Sequence, residues 1–142
     1  MPVTLIGQIG AVCLVLAVTF AMLKGDEPER IGGGSLALTW FASMLIQGAG
    51  NWNGTDWGLF ALDLVLLAIL CGLAWKSSRA WPAWACGLQL LVIMSHIMTL
   101  TDVRPPIEAF YIVFNMAGFG VMLALAIGTF WAWQDRRAAE MK

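Results

Sequence analysis

Five apolar runs, each close to or above the length that crosses the hydrocarbon of a bilayer, divide this chain from end to end. A membrane helix needs about 20 largely apolar residues, and residues 3–23, 31–49, 57–75, 82–101 and 108–133 each approach or meet that length. The breaks between them are short and polar: KGDEPER with Pro28, GNWNGTD, KSSRA before Pro82, and DVRPP with Pro105 and Pro106. Such punctuation suits tight turns between antiparallel neighbours. The pattern predicts an all-α, polytopic integral membrane bundle of five transmembrane helices. Residues 1–142 form a single membrane domain that ends in a basic tail over 134–142.

Composition excludes the soluble alternatives. Hydrophobic residues make up 60% of the chain and charged residues 12%, with a mean hydropathy of +0.78. A water-soluble domain of this size has too little interior to hide that much apolar surface, so the lipid bilayer is the expected partner. The net charge is −1 and no basic stripe is present, which leaves nucleic-acid binding without electrostatic support.

Basic residues set an orientation, because Lys and Arg flanking membrane helices favour the cytoplasmic side. Lys24, Arg30, Lys76, Arg79, Arg136, Arg137 and Lys142 fall on one side of a five-span arrangement, and Arg104 alone falls on the other. This segregation puts the N-terminus outside and the C-terminus in the cytoplasm. Tryptophan favours the headgroup level. Trp75, Trp81, Trp84, Trp131 and Trp133 sit at the expected inner boundary, Trp52 and Trp57 at the outer one, and Trp40 inside a span. The start, MPVTLIGQ, lacks a basic n-region and no small-residue cleavage site follows the first run. That run is expected to stay in the mature protein. A bacterial cytoplasmic (inner) membrane is the default location.

Small and hydroxyl-bearing faces suggest how the helices meet. Ser35, Thr39, Ser43 and Gln47 recur every four residues on the second span, which places them on one face. Gly120, Ala124 and Gly128 form a similar row on the fifth. Such rows let backbones approach and exchange modest hydrogen bonds. Gly32, Gly33 and Gly34 lack the rest of a phosphate-binding motif and are expected to serve close packing. Cys13, Cys71 and Cys86 each lie in an apolar run without metal-ligand spacing, and read as small reduced packing residues.

The polar residues inside the spans carry the functional candidates, since an ionisable group in lipid is costly and marks a site by default. At 1.5 Å per residue, Asp63 lies about 9 Å below the outer start of its span, His96 about 7.5 Å below the outer end of the next, and Asn115 about 10 Å below the start of the last. Three helices thus bring an acid, an imidazole and an amide to one level. Gln89 shares a face with His96 two turns away, and Gln47 ends the second span on the same side. The expectation is an outward-open polar cluster centred on Asp63 and His96, with Asn115 and Gln89 completing its hydrogen bonds.

No catalytic constellation supports an enzyme. One histidine excludes a bis-histidine haem or His-rich metal site within one chain. Ser95 beside His96 points about 100° away from it, and Glu108 sits at the rim. No cofactor or metal is predicted. The leading reading is a non-catalytic subunit or self-associating, homo-oligomeric component of a membrane complex, suggested by short loops and small-residue faces. The alternatives are a ligand-binding or proton-coupled transport protein using the Asp63 and His96 cluster, and a quinone- or haem-associated oxidoreductase subunit.

Overall fold

The computed structural model describes residues 2–48, 57–101 and 107–141, with the backbone alone described at 2–4, 47, 48, 107, 110 and 111. Five helices follow one another: α1 (Pro2–Lys24), α2 (Glu27–Gly48), α3 (Trp57–Lys76), α4 (Trp81–Leu100) and α5 (Ile107–Glu140). α1, α3, α4 and α5 are long and apolar enough to cross a membrane. α2 is comparable in length, about 33 Å at helical rise. Its charged first turn, four glycines and hydroxyl side chains dilute its apolar character. α5 runs on through Glu140, so residues 134–140 are the last turns of a helix rather than a separate tail.

Neighbours in sequence are neighbours in space, and α1 also packs on α5, which closes the helices into a ring. Outside, large apolar side chains such as Val12, Leu16, Leu38, Val65, Leu90 and Leu123 stand exposed on every helix. Inside are Leu14, Ala21, Leu36, Leu66, Leu70, Trp81, Ala85, Val121 and Leu125. A helix that is apolar all round suits lipid on one face and packing on the other.

One end of the ring gathers charge. The turn after α1 is only Gly25 and Asp26, and a side chain at position 25 would stand 2.6 Å from Glu29 Cβ. Glu29, in the first turn of α2, bends back to accept the Asp26 backbone N–H at 2.9 Å, one half of a capping box. Arg79, between α3 and α4, reaches Asp26 at 2.6 Å, Glu29 at 3.8 Å and Asp135 at 3.6 Å. Arg136 on α5 contacts Asp26 at 3.3 Å and donates to the Lys24 carbonyl. Lys24 and Arg137 both lie 5.3 Å from the Trp133 ring centroid. α1, α2, α5 and the turn between α3 and α4 therefore meet in this network.

Trp81 locks the same end and corrects the reading of it as a headgroup anchor. It is 4% exposed, whereas Trp75 and Trp84 are 91% and 71% exposed and face outward. Its indole lies between Gly32 of α2 and Gly128 of α5, where any side chain would collide with it. Its N–H donates to Glu29 Oε1 at 2.9 Å. The glycine run on α2 thus serves close packing, with Gly33 set against Ala21 of α1 and Leu125 of α5.

Candidate functional site

Towards the other end, the ring stays open around a cavity of about 300 Å3 to which all five helices contribute. Its polar wall comes from Thr39 and Ser43 of α2, Asp63 of α3, Gln89 of α4 and Asn115 of α5. Its aromatic wall is Trp40, Phe114 and Phe119. Toward the charged end, Leu14, Leu36, Leu66 and Val121 line it and belong at the same time to the buried core. The cavity therefore has a dry floor.

Asp63 is the hub. Its Oδ2 faces His96 Nε2 at 2.7 Å, and its Oδ1 accepts from Gln89 Nε2 at 3.0 Å. Gln89 also lies 3.3 Å from the Asp63 backbone carbonyl. Depth arithmetic brought the acid and the imidazole to one level, and the structure brings them into contact. Gln89 and His96, two turns apart on one face of α4, both converge on the Asp63 carboxylate across the helix interface, the arrangement expected of the cluster. His96 does not line the cavity. It sits behind Asp63, with ring centroids 5.8 Å from both Phe60 and Phe114. Asn115 borders the same cavity as Asp63 and Gln89. The Gln47 side chain, Trp52 and Arg104 lie outside the described residues.

The hydroxyl face of α2 behaves differently from the expected seam. Ser35 donates to the Ile31 carbonyl at 2.7 Å and Ser43 to that of Thr39 at 2.8 Å. Both bonds stay within α2, since a carbonyl one turn back is the nearest acceptor for a hydroxyl in apolar surroundings. Thr39 and Ser43 face the cavity instead of a partner helix. On α5, the space a side chain at Gly120 would need is taken by Leu88, 2.7 Å away, and that at Gly128 by Trp81. Ala124 packs against the core. This row meets its close partner, α4, within the chain.

Three glycines border the open space. Gly7, Gly10 and Gly118 line the cavity, and a methyl group at Gly7 or Gly118 would meet nothing within 4 Å among the described residues. At Gly10 it would reach Phe119 at an ordinary 3.8 Å. Packing does not require glycine at these positions, and glycine inside a helix costs about 1 kcal/mol relative to alanine.

Glu29 was missed because it lies in a break read only as a polar turn. It is fully buried, yet Asp26 and Glu29 carry the three-residue spacing of a capping box immediately before an apolar run. Among the described residues, no group of three or more His, Cys, Asp or Glu side chains is placed to hold a metal ion. Cys71 and Cys86 are free thiols in contact, 3.4 Å apart between α3 and α4. Comparison with protein-family models, curated proteins and solved structures found no match.

Proposed function

We propose that this chain is a small five-span membrane protein that binds a small molecule in the cavity beside Asp63. In this reading the N-terminus is outside and the charged end faces the cytoplasm, as the seven basic residues on that side favour. One observation carries the binding reading: a hydrogen-bonded acid and amide, the acid backed by an imidazole, stand on the wall of a cavity bordered by glycines that the described packing does not need. Pockets of this kind combine apolar and aromatic walls with a few convergent polar groups.

The dry floor favours binding over conduction. Leu36, Leu66, Leu70, Val121 and Leu125 separate Asp63 from the charged end, and none of them relays a proton or solvates an ion. Among the described residues, Asp63 and His96 are the only charged or imidazole side chains in the middle of the helices. The subunit reading loses one support, since the small-residue row on α5 is occupied by Trp81 and Leu88 of the same chain.

The test compares small molecules carried through purification by the native protein and by Gly118→Leu, which fills the cavity where open space exists. Mass spectrometry of the extracts is expected to show a compound enriched in the native protein and lost in the variant. Equal profiles from two equally folded proteins would overturn the reading.

A further inference from the structure

We propose that the cavity selects a small organic cation, an ammonium group carried on an apolar body, with its charge against Asp63. This rests on the reading of the cavity as a binding site. Among the described residues, Asp63 is the one formally charged side chain on the wall and no Lys or Arg lines the cavity. An anion there would face a carboxylate with no basic group on the wall to offset it. Attraction between unlike charges is strengthened in such surroundings, since the effective dielectric is far below that of water.

The His96 contact leaves that charge available. It needs only one imidazole N–H, which the neutral ring supplies, and Gln89 donates a neutral amide to the other oxygen. Each carboxylate oxygen has a further lone pair for a ligand. Trp40, Phe114 and Phe119 supply the second element. Aromatic faces around a cation are attractive, strongest for tryptophan, and recognise alkylammonium groups where water is excluded. A volume of about 300 Å3 equals roughly ten waters, which suits a substituted amine and is too small for a lipid.

His96 is the single histidine of the chain, so ring nitrogen-15 labelling gives one reporter, 2.7 Å from the carboxylate. The full chain in uncharged maltoside micelles is titrated with benzyltrimethylammonium and, separately, with neopentylbenzene, its uncharged isostere. The expected result is a saturable His96 shift with the cation, at least tenfold weaker with the isostere, and absent in Asp63→Asn. Equal responses to both probes, or a response to the isostere alone, overturn the cation proposal and leave the binding cavity standing. No response to either probe removes both. The probe pair decides on the native chain even if Asp63→Asn fails to fold.

Discussion

At the charged end of the bundle Glu29 accepts the Trp81 indole N–H at 2.9 Å; at the cavity end Asp63 faces the His96 imidazole at 2.7 Å. Both are carboxylates against a ring N–H, and the glycines around them show how differently the two are used. Around Trp81, Gly32 and Gly128 are small because a side chain would collide with the indole. Around the cavity, Gly7 and Gly118 are small beside open space. The indole holds its proton at any ordinary pH, so Glu29 has a fixed partner and no solvent exposure. The imidazole stands behind its carboxylate beside Phe60 and Phe114, and Asp63 borders the cavity. One pair fastens helices, and the other, in the proposed reading, meets a molecule.

The sharpest way to break this contrast is Trp81→Ala. It removes a buried indole between α2 and α5 and takes the indole donor from Glu29 Oε1, a loss of about 3–5 kcal/mol. Thermal unfolding in nanodiscs checks it, and a stability close to native would show that the charged end is not the fastening. Gly128→Leu comes next. Overpacking against Trp81 is expected to cost about 1–3 kcal/mol by the same measurement. The loss stems from displaced packing, since in lipid it is contact rather than escape from water that holds helices together.

The two carboxylates give a direct comparison. Glu29→Gln places an amide group where the Asp26 N–H and Trp81 N–H both need an acceptor, and is expected to cost about 1–3 kcal/mol. Asp63→Asn is expected to cost less than about 1 kcal/mol, because an amide oxygen still accepts from one neighbour and the cavity tolerates a local shift. Its large effect falls on binding of the cationic probe. If Asp63→Asn unfolds the protein as readily as Glu29→Gln, the acid and the imidazole fasten α3 to α4 just as Glu29 and Trp81 fasten the other end.

The legible and hidden parts of the molecule follow the same division. Lipid makes every polar residue in a span costly, so Asp63 and His96 stood out and helical rise set their depth. Rotation of one helix against the next is set by packing over many side chains, so the place of His96 behind Asp63 rather than on the cavity wall was not written locally. Trp81 looked like a belt residue because its sequence neighbours are a basic turn and Pro82. The two glycines that bury it are 49 and 47 residues away. Glu29 and the continuation of α5 were both readable. Asp26 and Glu29 have capping-box spacing, and QDRRAAE contains no proline or glycine to stop a helix.

The smallest effect separates the two kinds of glycine most cleanly. Gly118→Ala adds a methyl group that meets nothing within 4 Å, on a helix where alanine is favoured over glycine by about 1 kcal/mol. Stability is expected to stay level or rise by up to about that amount, whereas Gly128→Ala lowers it because the added atom enters the Trp81 ring. Extending the first change to Gly118→Leu fills the cavity and is expected to remove the probe response of His96 without lowering the unfolding temperature. That pair of results would mean that the glycine serves binding through the space it leaves. Should Gly118→Ala destabilise the bundle as much as Gly128→Ala, that space is a packing requirement and the contrast between the two ends disappears.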